Sequence, residues 1–429
     1  MTKQFFKSNG LPQVLNGYVP ATILLLCIIS LILVPFKPNI TSKIFNLTGF
    51  IAIVTVLASP KNYFKNNKSL VIALPLFLIG LSHLAWVELY KTSDSLYKNV
   101  YYGYFQMGKI AIFCSFILLC IDKIKGTIKL SQLHFYTALF TQLSVFLYAL
   151  YQAIYLNSPR VELSFGNASN ATGAAYAMIF LSLYFQTVFP QSKIKFNHII
   201  YFTSLVLTYI SILLTETRAA ILVYPFISIF IFFLHSRETN TRIKKNRIYL
   251  LIPILVLLIC GLFFSDSISS RMNLAAKEGM LYIEKGKSSS VGDRLSMIKA
   301  GIYSSNDNFF WQSAEERNNK ISELAKIDKS LQGATKHFHA HLHNDLVESL
   351  STKGWISGVI LTLIFYLAII LYGIKSDKNP FILGVAISLI TLGFSDALII
   401  SKQVSLTWSL ALILIISCIA IKNNRITST

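Results

Sequence analysis

The chain alternates between apolar runs of about 20 residues and short polar connections. A helix of that length crosses roughly 30 Å of hydrocarbon. Twelve runs can be recognised, at approximately 20–36, 43–59, 69–90, 100–121, 133–156, 171–189, 196–214, 218–235, 248–265, 354–374, 380–400 and 403–421. The pattern predicts an all-α polytopic membrane protein with about 12 transmembrane helices.

One long polar stretch, residues 266–353, interrupts this pattern. It predicts three regions: transmembrane helices 1 to 9 in residues 1–265, a large loop with short helices in 266–353, and helices 10 to 12 with a tail in 354–429. The first apolar run has no small-residue cleavage site after it, so we expect it to remain as a helix.

Composition supports a membrane protein, because 54% of the residues are hydrophobic and only 14% are charged. A soluble domain has about 25% charged residues. The net charge of +20 does not require a nucleic-acid partner, since cationic loops hold the orientation of membrane proteins. All five cysteines fall within apolar runs, and we expect no structural disulfide.

Lysine and arginine are unevenly distributed among the short connections. Clusters at 61–68, 123–129 and 237–247 alternate with connections that hold few cations. Because cationic loops stay on the cytoplasmic side, the pattern predicts that both termini are cytoplasmic and that residues 266–353 lie outside.

Two arginines are candidates for binding an anion on the outer face. Arg218, in TETRAAILVYP, stands at the mouth of an apolar helix, where a charge usually faces a cavity or a partner. Arg294, in VGDRLSMIKAGIY, is expected in the first turn of a helix capped by Asp293, beside free backbone N–H groups. The alternatives are an Arg218 that snorkels or pairs with Glu216, and an Arg294 on a solvated helix face.

Four histidines alternate in HFHAHLHNDLVE, at the end of the long loop, and alternation favours an extended strand with all four rings on one face. A metal site would need three or four converging ligands, and one strand seldom supplies more than two. A single base is the more economical interpretation, because histidine titrates near neutral pH. His343 is our candidate, since it stands where the chain re-enters the membrane.

Two weaker candidates complete the outer face. Lys109 interrupts the fourth apolar run and either snorkels or lines a cleft, and Arg160 precedes the small-residue segment FGNASNATGAAY. Small residues there would let a ligand approach the backbone.

Together these features resemble the bacterial O-antigen ligase and polymerase superfamily. The matching pieces are TETRAA around Arg218, the helix of Arg294, and HLHNDLVESLSTKGWISG from His341. Over 215–360 the resemblance rests on motifs and elsewhere on topology. A chain that ends directly after the twelfth helix is more similar to the ligases than to the larger oligosaccharyltransferases.

The resemblance implies a GT-C-like glycosyltransferase in the bacterial inner membrane with its active site facing the periplasm. Such an enzyme moves a glycan from undecaprenyl pyrophosphate to lipid A–core oligosaccharide without a metal or cofactor. Carried onto this sequence, His343 is the base, and Arg218 and Arg294 hold the pyrophosphate. Arg160, Lys109, His341 and Asn344 are further candidates for binding pyrophosphate or glycan.

Two departures from the superfamily pattern are visible. Thr217 replaces the serine that commonly precedes the motif arginine, and His337 and His339 are additional histidines to which we assign no role. The alternative functions are an O-antigen polymerase, a transporter or flippase of an anionic lipid-linked substrate, and a non-enzymatic receptor.

Overall fold

A computed structural model describes residues 11–124, 128–164, 170–191, 197–238, 262, 265–305, 310–339, 341–376 and 379–426. Within these ranges the chain is helical and contains no strand. The α-helices are α1 Leu11–Leu33, α2 Pro38–Ala58, α3 Pro60–Phe64, α4 Leu70–Tyr90, α5 Lys98–Ile121, α6 Ile128–Leu150, α7 Ala171–Val188, α8 Asn197–Leu213, α9 Arg218–Glu238, α10 Ser265–Lys285, α11 Ser290–Ser304, α12 Ala314–Ile327, α13 Gln332–Thr335, α14 Asp345–Gly354, α15 Leu361–Lys375, α16 Pro380–Gly393 and α17 Lys402–Ile426.

The prediction of a multi-pass helical membrane protein is confirmed. Eight helical segments in the described ranges are long and apolar enough to cross a membrane. Three shorter apolar helices accompany them, at Tyr18–Leu33, Ile199–Leu213 and Pro380–Gly393. The predicted span 248–265 falls almost entirely outside the described residues, so the number of twelve spans stays a prediction.

Two predicted spans near the C-terminus have different boundaries in the structure. The span expected at 354–374 begins at Asp345, because α14 continues through a π-helical turn at Trp355–Ile360 into α15. The span expected at 380–400 ends at Gly393, and a non-helical segment of residues 394–401 follows. Polar side chains account for both changes: Asn344 caps α14, and the Asp345 carboxylate accepts a hydrogen bond from the backbone N–H of Ile399 at 3.0 Å.

The centre of the bundle is formed by α7 and α17, which are almost completely buried and pack against each other. Beside them, α4 and α5 approach closely at Gly80 and Gly108, where a Cβ on either glycine would lie 3.0 Å or less from the carbonyl oxygen of the other. Small residues permit such contacts between membrane helices. By contrast, α2 exposes apolar side chains such as Phe50 and Leu57, which indicates a face directed at lipid.

Helices α11, α12 and α13 form a separate cluster outside the apolar bundle. Its small core contains Met297, Ile321, Leu331, Leu342 and Val347. A second cluster joins this unit to α4 and α5, because Ala314 packs with Trp86, Val87, Val100, Tyr101 and Tyr104. Residues of α11, α12 and α13 therefore form a packed unit, called the loop unit below, that contacts α4 and α5.

A buried ion pair connects this unit to α14. Arg317 on α12 donates from Nη1 to both carboxylate oxygens of Glu348, at 3.1 and 3.2 Å, and both side chains are 1% exposed. The same carboxylate accepts hydrogen bonds from Tyr104 Oη at 3.0 Å and from the backbone N–H of Leu342 at 2.9 Å. One carboxylate thus holds the loop unit, α5 and the histidine segment together.

Breaking this ion pair should destabilise the protein strongly. We expect Arg317→Met to lower the free energy of unfolding by about 3–5 kcal/mol, because it leaves the Glu348 charge buried and uncompensated. Removing both charges in Arg317→Met/Glu348→Leu should recover part of this loss. Thermal unfolding of the purified protein in detergent would measure both changes.

The control is the exposed pair Lys326–Glu323, whose side chains are 69% exposed. Lys326→Ala should change stability by less than about 1 kcal/mol. Equal losses in the Lys326 and Arg317 variants would show that the buried pair has no special importance.

Candidate active site

Two of the four alternating histidines share one carboxylate. His341 Nε2 lies 2.7 Å and His343 Nδ1 lies 2.9 Å from the same oxygen, Oδ1 of Asp396. The two rings are adjacent, with centroids 4.7 Å apart, and all three side chains are partly buried. The segment of residues 394–401 therefore supplies the partner of the histidine segment.

The ends of α14 and α16 hold this arrangement in place. Asn344 caps α14 by accepting from the backbone N–H groups of Leu346 and Val347, and its Nδ2 donates to the Phe394 carbonyl oxygen at 3.2 Å. Asp345 accepts a hydrogen bond from Tyr366 Oη at 2.9 Å in addition to the one from Ile399. Asn344 thus has a structural function that its prediction as a substrate ligand did not anticipate.

The backbone of His343 adopts a left-handed conformation, with φ of 51°. A side chain with a Cβ pays a free-energy cost there that glycine does not. The conformation turns the chain between His341 and the first turn of α14, so that both imidazoles reach the same carboxylate.

Charges in the site change the acidity of its groups. The pKa of Asp396 lies well below its usual range: burial alone would raise it, but the hydrogen bonds from His341 and His343 stabilise the carboxylate more strongly. Burial has the opposite effect on His341 and lowers its pKa, yet the hydrogen bond to Asp396 and the attraction of the Asp396 charge raise the pKa of His341 above its ordinary value. For His343 burial prevails, and its pKa is lowered.

An ionised carboxylate only accepts hydrogen bonds, so each histidine nitrogen that faces Asp396 carries a proton. In neutral His343 the proton is then on Nδ1, and the lone pair of the ring is on Nε2. The geometry therefore leaves Nε2 of His343 as a proton acceptor. It also keeps His343 uncharged at neutral pH, because its pKa is lowered.

His341, His343 and Asp396 are also the one group of candidate metal ligands found in the described part of the chain. Tetrahedral zinc with bonds of about 2.0–2.1 Å keeps its ligand atoms about 3.3 Å apart. The nitrogen–oxygen distances of 2.7 and 2.9 Å are shorter than this and are those of hydrogen bonds. The three groups thus fit a hydrogen-bonded triad better than a zinc site.

The structure brings the two predicted arginines to the same region. The positive charge of Arg294 on α11 contributes to the lowered pKa of His343. Arg218, the first residue of α9, forms an ion pair with Glu278 of α10 at 3.5 Å. The same Glu278 oxygen accepts from the backbone N–H of Val291 at the start of α11. Glu278 therefore links Arg218 to the helix that carries Arg294.

The weaker candidates have different positions. Arg160 donates to the Thr215 carbonyl oxygen at 3.0 Å and to Thr217 Oγ1 at 3.2 Å, so it braces the turn that precedes Arg218. The Lys109 ammonium lies 4.5 Å from the centroid of the Phe105 ring, on its own helix, and is close enough to Lys402 to repel it. Arg160 is thus tied to the arginine region, whereas the contacts of Lys109 connect it with α17.

Two local expectations from the sequence were wrong. The histidines do not lie on an extended strand, because His337 and His339 are part of a turn at 336–339: His337 faces Asp293 at 3.4 Å, and the His339 ring lies 5.5 Å from the Tyr97 ring, centroid to centroid. The cap of the Arg294 helix is Ser289 and not Asp293, so α11 begins earlier and Arg294 lies beyond its first turn. Ser289 accepts from the Gly292 N–H in the way that was expected of Asp293.

Sequence reasoning missed Asp396. It lies in GFSDALII, which was assigned to the predicted span 380–400. A carboxylate inside an apolar run costs enough free energy to imply a partner, and this signal could have identified it.

An apolar cavity of about 210 Å³ lies beside the polar site, between α14, α15 and α16. Its lining includes Leu346, Leu363, Leu367, Ile390 and Phe394. Leu346 lies three residues after His343 and Phe394 lies two residues before Asp396, so polar and apolar surfaces adjoin there.

The fold and site define a multi-pass helical membrane protein with a histidine–aspartate–histidine group and two nearby arginines. Residues 203–363 match the model of a protein family described as O-antigen ligase. The chain is also 28% identical over 407 residues to an O-antigen ligase of Escherichia coli (strain K12), covering 94% of this chain and 93% of that protein. The resemblance to the O-antigen ligases is confirmed, and residues 203–363 are the part of the chain that matches the model of that family.

The left-handed backbone of His343 leads to a prediction about the free energy of unfolding. His343→Gly should be more stable than His343→Ala by about 1 kcal/mol, since both lose the imidazole but only alanine retains a strained Cβ. Thermal unfolding in detergent would compare the two. At His341, whose φ is not positive, the glycine variant should be no more stable than the alanine variant; the same order at both positions would contradict the explanation.

Proposed function

We propose that this protein is an O-antigen ligase, which transfers a glycan from undecaprenyl pyrophosphate to lipid A–core oligosaccharide. The observation that carries the proposal is the Asp396 carboxylate, which fixes the His343 tautomer beside Arg294. The family domain at 203–363 contains Arg218, Arg294 and His343, which supports their assignment to one reaction.

His343 Nε2 takes the proton of the acceptor hydroxyl as its oxygen attacks the anomeric carbon of the donor sugar. The new bond joins that oxygen to the anomeric carbon, and the bond from this carbon to the pyrophosphate oxygen breaks. Asp396 stabilises the imidazolium that forms, and the proton then passes to solvent. His341 holds the shared carboxylate in place.

Arg218 and Arg294 bind the pyrophosphate and stabilise the negative charge that grows on it as it leaves. Charge-assisted hydrogen bonds from arginine to phosphate are strong, and low dielectric near the membrane strengthens them. Glu278 serves as the counter-ion of Arg218 and positions it next to α11. Arg160 supports the Arg218 turn, and Lys109 is a more distant candidate for contact with the glycan.

The apolar cavity beside the site is consistent with a lipid-linked donor, because a polyprenyl chain needs an apolar environment next to the binding site of its pyrophosphate. We assign the reaction to the periplasmic face of the bacterial inner membrane, with both termini cytoplasmic. The pyrophosphate is itself an activated leaving group, so the reaction that we propose needs no metal.

Reconstitution of the purified protein would test this function. With undecaprenyl-pyrophosphate-linked glycan and lipid A–core in detergent, we expect glycan transfer that a chelator such as EDTA does not reduce. His343→Ala, Arg218→Ala and Arg294→Ala should each lower transfer by at least about 100-fold, since each removes proton transfer or charge stabilisation. Electrophoresis of the lipid A–core product would measure it.

The alternatives give different outcomes in the same assay. A polymerase would extend the lipid-linked glycan and leave lipid A–core unmodified. A transporter would give no covalent product in detergent, where no gradient exists. Transfer by His343→Ala at the wild-type rate would contradict the assignment of the base.

The pH dependence of transfer tests Asp396. A base must be neutral, so wild-type activity should persist at neutral pH and fall as the pH drops below the lowered pKa of His343. Asp396→Asn removes the carboxylate that favours imidazolium, so it should move this acidic limb to lower pH and reduce the maximal rate by about 100-fold or more. Rates measured between pH 4 and 8 would show both effects.

Asp293→Asn is the matched control, because Asp293 faces His337 and not the His341–His343 pair. Its pH profile should equal that of the wild type. An unchanged acidic limb in Asp396→Asn would rule out the coupling between Asp396 and the base.

A further inference from the structure

Gln403, in the first turn of α17, has an unpartnered side chain within the described part of the chain. Neither its amide oxygen nor its amide nitrogen makes a hydrogen bond, although the residue is only 4% exposed. A buried amide that loses its contacts with water and gains none costs free energy. Such a group calls for an explanation, and a ligand that completes its hydrogen bonds is one.

The amide of Gln403 lies against the beginning of α7. A Cβ added to Gly173 would lie 3.2 Å from Gln403 Oε1 and 3.3 Å from Asn170 Oδ1, so glycine leaves room for both side chains. Asn170 Oδ1 accepts from the Gly173 N–H. The N–H groups of Ala171 and Thr172 precede it in the helix and have no acceptor within the helix.

This end of α7 lies between the two halves of the candidate active site. On one side, Thr217 Oγ1, from the turn before Arg218, donates to the Ala171 carbonyl oxygen at 3.3 Å. On the other side, the Tyr176 and Ser395 hydroxyls lie 2.8 Å apart, next to Asp396. A group bound at the start of α7 is therefore placed between the arginine that holds the leaving group and the base.

The geometry points to a subsite in which Gln403 and the N-terminal turn of α7 bind the donor sugar that is bonded to the pyrophosphate. The inference rests on the proposed function, in which this sugar occupies the space between Arg218 and His343. Gln403 donates from Nε2 to an oxygen of the sugar and accepts at Oε1 from one of its hydroxyl or acetamido groups, and the backbone N–H groups of α7 face the same oxygen.

The chemistry of the amide distinguishes a sugar from a phosphate. At neutral pH a pyrophosphate linked to two carbons offers only acceptors, so it would leave Oε1 of Gln403 without a hydrogen. A hydroxyl or an acetamido group is both donor and acceptor and completes both ends of the amide. The pyrophosphate has two arginines of its own in this region.

Binding measurements with Gln403→Leu test the subsite. The two probes are a polyprenyl pyrophosphate without sugar and the same lipid carrying one N-acetylhexosamine. We expect Gln403→Leu to raise the Kd of the sugar-bearing lipid by about 10- to 100-fold, because two hydrogen bonds are lost. The Kd of the bare lipid should not change. The thermal stability of the free protein should not fall, since leucine leaves no unpaired amide.

Ser388→Ala is the matched control, because the Ser388 hydroxyl is also buried and unpartnered but lies on α16. It should alter neither Kd. Equal increases for both lipids would place Gln403 at the pyrophosphate and overturn the inference. Unchanged values for both would mean that a buried water satisfies the amide, which also overturns it.

The binding readout separates this inference from the proposed function. If the wild type transfers no glycan but Gln403→Leu still weakens only the sugar-bearing lipid, the subsite stands and the ligase assignment fails. If the wild type transfers glycan and Gln403→Leu binds both lipids normally, the assignment stands and the subsite fails.

Discussion

The Glu348 carboxylate is the point on which the loop unit, the bundle and the histidine segment all depend. It is buried with Arg317, and it also holds Tyr104 of α5 and the backbone of Leu342. An ion pair so far removed from water does not guarantee stability, because both charges lose their hydration. The ion pair instead positions the groups around it. Because Glu348 fixes the backbone of Leu342, the His341 and His343 side chains on either side of it face Asp396.

The candidate site also depends on pairing of charged groups that are partly removed from water. Asp396 lies at the end of an apolar helix, where a lone charge is costly, and two histidines compensate it. This pairing also has a chemical consequence: it determines which nitrogen of His343 carries no proton. Arg218 is also paired: its counter-ion Glu278 accepts a second hydrogen bond from the backbone N–H of Val291, in the first turn of the Arg294 helix. Pairing of charges in a poorly hydrated place thus assembles the candidate site.

Much of this was accessible from the sequence, for physical reasons that also set the limit. Apolar runs identify spans because the membrane imposes their length, and Arg218, Arg294 and His343 stood out because charged and titratable groups are rare in such a chain. A carboxylate in an apolar run indicates that Asp396 has a partner, but His343 is 53 positions away, and no local pattern shows which residue that partner is. The alternation of histidines was misleading for a related reason. The turn at 336–339 and the left-handed backbone of His343 form where this segment contacts Asp293, Glu348 and Asp396. The alternating pattern of residues 337–343 does not show these contacts.

The late position of Asp396 and Gln403 in the chain has a consequence for biogenesis. A nascent polypeptide that already contains Arg218, Arg294 and His343 still lacks the carboxylate that pairs with His341 and His343, and it acquires this only when the segment before α17 is made. Because α17 also fills the centre of the bundle against α7, the same event that closes the core completes the site. Assembly of the candidate site is therefore coupled to the insertion of α17, which follows the other described helices in the chain.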